Sequence, residues 1–500
     1  MCSKADFHGT YTQFCSASAH SRLPGRKMLP SLITLLIFLF CTCGENPAVR
    51  FILTDKGLQY GKHVGAGWVQ DKLGLITLPD ISGEIPISIF GTLDYTLTGT
   101  TITKCDFPEP SVEFDQNVTG FKTSISGLSV AMTGSWMSQY LLIESTGSFN
   151  IAVFGVGVTS VLKLGKDADG HLSITCVICD ANVGDVDLQV NGGISAWIFQ
   201  HAVNHYKEQI RSEIEGRICS GVKEFIMNME HHLEAMNVSF DVDQYVTLEL
   251  PLTDLPDVNT SSLNLGFKGE FYSTRTHKDP PFEAQPFAVP QQPDYMLSVS
   301  LSEYTLNSAS YGYYSSGLFQ VLVNDSMIPP YIPVRLNTSY MGHLVPQLPK
   351  MFPGLMMNLQ VYAREFPLFL FHPAAVSLGV LGAIKAFAIQ PNGTKIPLFT
   401  LNVNSEFSSK AWITDGKLKG SVGMSSLTLT LASSEVGSFK TDALERLVRM
   451  GSVVAMMELN ERLGNGVDLP RMKQAELVNT VLELYEGFIA ISTDAQILLT

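Results

Sequence analysis

A long helical pattern set among stretches written for β-strands is the feature that most restricts what this chain can fold into. Ile210, Ile214, Ile218, Val222, Phe225, Met229 and Leu233 recur at spacings of three and four, with Lys, Arg and Glu between them. Over about forty residues from Ile194, that spacing lays the apolar side chains along one stripe of a helix. Residues 93–97, 185–190 and 247–250 alternate with period two between Gly, Asn and Ser clusters, as half-buried antiparallel strands do. The second half repeats the scheme. Residues 417–431 end in Leu-Thr-Leu-Thr-Leu, and Leu444, Leu447, Val448 and Val454 follow on a helix begun by Thr441-Asp442. The expected fold is α+β, with two copies of an antiparallel sheet wrapped on a long helix.

A chain of 500 residues exceeds what one core usually holds. The seam is predicted at residues 279–293, where five prolines in fifteen positions read as an extended, semi-rigid linker. Domains at 45–278 and 294–500 follow. Residues 44–278 carry 15 Lys and Arg against 28 Asp and Glu, while residues 279–500 carry 14 against 18. The first domain is therefore the acidic one. With a net charge of −14 the chain repels phosphate backbones, and nucleic acid is excluded as a partner.

Residues 29–40 form the most apolar run, preceded by Arg26-Lys27 and followed by Thr42, Cys43 and Gly44. That is a signal-peptide pattern, too short for the ~20 residues of a membrane span. Met28 is then the working start, residues 28–44 the signal and residues 1–27 a non-structural extension; the rival reading is a type II membrane anchor. Beyond residue 44 four cysteines remain, Cys105, Cys176, Cys179 and Cys219, which allow three full pairings. Asn117, Asn237, Asn259, Asn324, Asn337 and Asn392 each open an Asn-x-Ser/Thr sequon. Signal, sequons and thiols agree on a secreted, extracellular glycoprotein with a structural disulfide.

Catalysis has no visible seat. There is no Gly-x-Ser-x-Gly elbow. His201 and His205 stand four apart but lack the glutamate of a zinc helix, and read as solvated helix-face histidines. Ser220 and Lys223 match a nucleophile spacing by chance, and Gly155-Val-Gly157 lies in an alternating apolar stretch that needs no ligand to explain it. Cys176 and Cys179 have no second pair at zinc spacing, so neither metal nor catalytic cofactor is expected. What remains is a binding protein whose apolar interior suits acyl chains.

The chain resembles the family of bactericidal/permeability-increasing protein and lipopolysaccharide-binding protein, with the plasma lipid-transfer proteins as cousins. The resemblance runs from about Asn46 to Thr500. It is carried by Asn46-Pro47, the run from Thr54 through Asp55-Lys56-Gly57-Leu58-Gln59 to Tyr60, Lys268-Gly-Glu-Phe-Tyr272, Ser300-Leu-Ser-Glu-Tyr304 and Asp325-Ser-Met-Ile-Pro329. It implies an elongated boomerang of two twisted barrels joined by a central antiparallel sheet, with a bound phospholipid in an apolar pocket of each. It also implies one disulfide, Cys179 to Cys219, with Cys105 and Cys176 left as buried thiols or as a second pair.

The implied partners are lipopolysaccharide, through its lipid A part, and phospholipid, met on Gram-negative outer membranes or lipid aggregates. The implied role is antibacterial defence by a secreted monomer, with granule storage and hand-over to a cell-surface receptor as variants. In the relatives the tip of the first barrel is basic. Here residues 68–93 carry one Lys and three acids, and residues 134–145 carry no basic residue. Lipid contact is then expected from the apolar tip residues Ile85, Ile87, Ile89, Phe90, Trp136 and Met137, for which ordinary strand core is the competing reading. Arg50, Lys56 and Lys62 are the alternative source of a phosphate site. A carrier of neutral or zwitterionic lipid, without lipopolysaccharide neutralisation, is the second functional reading.

Overall fold

The computed structural model describes residues 45–73, 80–86, 91–140, 143–193, 196–205, 207–328, 334–469 and 475–497. Residues 28–44, expected to be a signal, and residues 1–27 before them lie outside the described residues. β1 (Val49–Thr54) runs straight into α1 (Asp55–Leu73). Seven strands follow among the described residues: β2 (Ile81–Pro86), β3 (Thr92–Asp106), β4 (Ser111–Asp115), β5 (Gly120–Tyr140), β6 (Ile143–Lys166), β7 (Leu172–Asn182) and β8 (Asp185–Asn191). The forty-residue helical pattern is described as two helices, α2 (Ala196–His205) and α3 (Lys207–Glu234), flanking residue 206. Short strands close the first half, β9 (Ser239–Asp241), β10 (Val246–Glu249), β11 (Asp257–Val258), β12 (Ser262–Phe267) and β13 (Glu270–Ser273).

The second half opens with β14 (Leu297–Ser302) and α4 (Glu303–Ser315), then β15 (Gln320–Val323) and the short helices α5 (Thr338–Met341) and α6 (Leu348–Met351). β16 (Met356–Ala363), β17 (Leu368–His372), β18 (Ala375–Ile389), β19 (Lys395–Thr414) and β20 (Lys417–Ser434) precede the long α7 (Asp442–Asn465). β21 (Val467–Asp468), β22 (Ala475–Tyr485) and β23 (Phe488–Ile497) end the described chain. Among the described residues no helix is long and apolar enough to cross a membrane.

Each half holds one seven-stranded antiparallel sheet, ordered β2-β3-β5-β6-β7 with β4 and β8 attached, and β15-β16-β18-β19-β20-β21 with β17 attached. Strands of 21 and 24 residues, as in β5 and β6, far exceed the usual three to ten or so. Bulges let such strands bend. One falls where Leu128 faces Val156, between register shifts. Gly127 and Gly155 supply the positive φ there, 81° and 62°, which a side chain would resist. Gly155 is thus a bending point of the sheet.

Strands from both halves share a third sheet, ordered β11-β12-β1-β14-β23-β22. β1 pairs with β12 on one side and with β14 on the other, so backbone ladders run across the proposed seam. One face presents Phe51, Leu53, Leu263, Leu265 and Phe267 to a core that includes Leu58 of α1, Ile226 of α3 and Ile174 of β7. The opposite face carries the buried Ser298, Ser300 and Ser302. Segment 279–293 has no helix or strand and is anchored rather than free. Ala284 O accepts from Asn46 Nδ2 at 2.9 Å. The Phe287 ring packs on Phe488 at 4.9 Å and under the Arg50 guanidinium at 5.5 Å.

α1 carries four glycines, which disguise it as a loop in the sequence. Thr54 Oγ1 accepts from Gly57 N at its start, as an N-cap does. Gly57 is needed there, since a Cβ would lie 2.5 Å from Met296 O.

Candidate functional site

In the first half α3 lies across edge strand β7, and its carboxylates accept from backbone near the strand's start and just past its end. Glu215 Oε1 accepts from Val183 N at 2.8 Å, and the Glu230 carboxylate accepts from Ile174 N. On α2, Gln200 accepts from Val190 N at 2.7 Å and donates to Leu188 O at 2.9 Å. Unpaired strand edges are costly to bury, and these contacts let a helix cover one. Cys179 of β7 and Cys219 of α3 are bonded, their Cα atoms 5.7 Å apart. Cys105 and Cys176 are free and half-buried. Burial, then the neighbouring Asp106, raises the Cys105 thiol pKa, which keeps it in the poorly reactive protonated form.

Beneath the helix, Val153, Val156, Val183 and Val186 form a buried apolar floor, with Leu128, Met132, Ile151 and Val158 beside it. Ile210, Ile214 and Ile218 face this floor from α3. Yet Ile226 is the one fully buried residue of α3, and Ile210, Ile214, Ile218, Val222 and Leu233 are each half-buried. Ile210, Ile214 and Ile218 are thus turned to the sheet, whereas Phe225 and Met229 of the expected stripe are exposed, by 62% and 37%. On α7 Leu444 alone is fully buried, Leu447 and Val448 pack on the same core, and Val454 and Leu463 are half-buried.

The tip is partly described. Trp136 is corrected: it is 1% exposed, packs with Leu93, Phe149 and Val190, and donates Nε1–H to Ser148 O and Asn191 O. Its indole is bound into the core and offers no exposed surface. Met137, the next residue, points outward and is 49% exposed. Ile85 pairs in register with Leu93, while Ile87, Ile89 and Phe90 lie outside the described residues. Trp197, 72% exposed at the start of α2, was missed. Its neighbour Ala196 packs on the Trp136 cluster, so Trp197 belongs to the same end as Met137. The available signal was a tryptophan four residues after the Asn191-Gly-Gly turn.

The candidate phosphate ligands do not assemble. Lys56 pairs with Asp494 at 2.8 Å and Lys62 with Glu109 at 3.1 Å, while Arg50 stacks on Phe287. His201 is exposed, as expected, and Ser220 Oγ donates to Gly216 O within its own helix. Asp167, Asp169 and His171 come together in the β6–β7 turn, a cluster the sequence reading overlooked. The Asp167 carboxylate accepts from Asp169 N, His171 N and His171 Nδ1, so it closes the turn. Of the sequon asparagines, Asn117, Asn237 and Asn392 are exposed, and Asn259, Asn324 and Asn337 are half-buried. Asn337 Oδ1 caps α5 by accepting from Tyr340 N at 2.7 Å.

The description of the N-terminal domain of the LBP / BPI / CETP family matches residues 57–229, and that of its C-terminal domain residues 240–497. The chain is 34% identical to a bactericidal permeability-increasing protein of Sebastes schlegelii, over 93% of its own length and 98% of that protein's. It is 27% identical to a lipopolysaccharide-binding protein of Bos taurus, over 94% and 98% of the two chains. A crystal structure of lipopolysaccharide binding protein shares the fold, with a TM-score of 0.54, 23% identity and coverage of 91% of this chain and 100% of that one. With both family domains matched in order along a chain that docks a long helix on a sheet in each half, the protein belongs to the LBP / BPI / CETP family.

Proposed function

We propose that this protein is a secreted, non-catalytic lipid-binding glycoprotein of innate immunity that captures bacterial lipopolysaccharide by its acyl chains. Phospholipid occupies the space between long helix and sheet in each half. The observation that carries this reading is the half-buried apolar stripe Ile210, Ile214, Ile218 above the valine floor of the first sheet. Burying apolar surface is worth roughly 25 cal/mol per Å², so acyl chains seated there would displace water favourably. Relatives named for binding lipopolysaccharide support the choice of lipid. Secretion rests on the apolar run at 29–40, the sequons and the disulfide.

The neutralised Lys56 and Lys62 set the mode of capture. Attraction of about 1 kcal/mol per basic residue near an anionic surface is largely forgone, and binding depends on apolar contact. The same observation favours the second reading, a carrier of neutral or zwitterionic lipid. Binding of the signal-cleaved protein to lipopolysaccharide and to phosphatidylcholine vesicles, each over a range of salt, separates the two. Lipopolysaccharide binding that changes little with salt is expected. Phosphatidylcholine uptake without lipopolysaccharide binding would leave only the carrier, and a steep loss with salt would overturn capture by acyl chains.

A further inference from the structure

Strand alternation puts the two faces of the second half's sheet to different uses. Met357, Ile384, Ala386 and Ala388 are buried in the large core beneath α7, with Leu359 and Val361 packed against it. Successive side chains point to opposite faces, so Gln360 and Tyr362 of β16 and Lys385 of β18 stand on the other side of that sheet. There the register makes two directly opposed pairs, Gln320 with Tyr362 and Gln360 with Lys385. The turn after α4 brings Tyr314 and Phe319 alongside, and the six side chains line a cleft of about 580 Å³. A cleft of that size falls within the roughly 300–1,000 Å³ of small-molecule sites.

Its chemistry is selective. No residue lining it is acidic, in a chain of net charge −14. Among the described residues Lys385 makes no ion pair, and its Nζ lies 5.4 Å from the Phe387 ring centroid. Tyr314 Oη is spent on Arg364 O at 2.8 Å, which fixes that wall. Two carboxamides offer paired donors and acceptors, Tyr362 a hydroxyl, and Lys385 three charged donors. Closely spaced hydroxyls on a ring need such paired groups, aromatic faces cover the ring's C–H surface, and an ammonium selects an attached anion.

We propose that this cleft binds an anionic saccharide, a short glycan bearing phosphate, sulfate or carboxylate, at a site separate from the apolar interiors. That chemistry occurs in the sugar core of bacterial envelope glycolipids and in sulfated host glycans. The test titrates the full signal-cleaved chain, by calorimetry, with deacylated lipopolysaccharide core oligosaccharide, a heparin disaccharide and neutral maltotriose. None of these has acyl chains, so the interiors contribute nothing. One or both charged glycans should bind, at least about tenfold tighter than maltotriose, and which of them binds identifies the source. Lys385→Gln should weaken that binding about tenfold or more, as loss of a charge-assisted contact does. Tyr362→Phe should weaken it by a smaller factor, and Lys410→Gln, exposed on β19 outside the cleft, should leave it unchanged. Phosphatidylcholine uptake by Lys385→Gln should equal wild type, which also reports correct folding. Millimolar charged glycan without binding, equal binding of maltotriose, or a Lys385→Gln variant that binds like wild type would overturn the proposal. Loss of lipid uptake by the wild-type protein would instead count against the lipid reading alone.

Discussion

The two halves dock a long helix on a sheet by the same device and then hold it differently. In the first, Glu215 and Glu230 of α3 accept from strand backbone. In the second, Asn460 of α7 both accepts from and donates to Val422, and Glu445 accepts from Leu429 N. The first half adds the Cys179–Cys219 bond and divides its apolar side chains among separate clusters. The second has no disulfide among its described residues and gathers Leu348, Met357, Leu398, Leu401 and Leu444 into one continuous core. A covalent tie supplements packing where the apolar side chains are divided among clusters, and packing alone holds the helix where they form one core.

That contrast can be broken at its strongest point first. Leu398, fully buried in the second core, should cost about 2–5 kcal/mol when changed to Ala, read by denaturant unfolding. A loss under about 1 kcal/mol would mean the second core is packed no more tightly than the first half's clusters. Cys179→Ser or Cys219→Ser should each lower stability by about 2–4 kcal/mol and reduce secretion. Normal secretion and unchanged melting of both would show that the hydrogen bonds alone hold α3.

Ile214→Ala tests the apolar stripe of the first half. Because the side chain is half-buried, the loss of stability should stay under about 2 kcal/mol, while phospholipid retained through purification should fall measurably by mass spectrometry. A Leu398-sized loss with lipid content unchanged would make the stripe ordinary core.

The smallest effect concerns the join between the halves. Burial alone would raise the Asp494 carboxyl, but hydrogen bonds from Lys56, Asn479 and Met296 N outweigh it and hold the pKa below the usual range. A depressed carboxylate stabilises the fold above its unfolded pKa of about 3.9 and loses that contribution as pH falls. Thermal melts of wild type should therefore drop between about pH 4 and pH 2, and Lys56→Met should shrink the drop. An identical acid profile would show that α1 and β23 are held by the sheet alone.

What the sequence determined was local. The three-and-four spacing from Ile210 to Leu233 marked α3, period-two alternation marked parts of β3, β8, β10 and β20, and Thr441-Asp442 marked the start of α7. These signals are legible because each element buries one face of its own. α1 was not, because it carries four glycines, of which Gly57 serves a close approach to Met296, and α4 was not, because its buried face is largely polar, including Thr305, Asn307, Ser308 and Ser310. Only the tertiary structure decided that β1, β12, β14 and β23, which lie far apart along the chain, share one sheet, since ladder pairing leaves no mark on composition. It also decided that Trp136 is core while Met137 is surface, and that Gln360, Tyr362 and Lys385 share a face away from the apolar core. Adjacent residues on a strand look alike in sequence, and which of them meets water depends on what the rest of the fold places over each face.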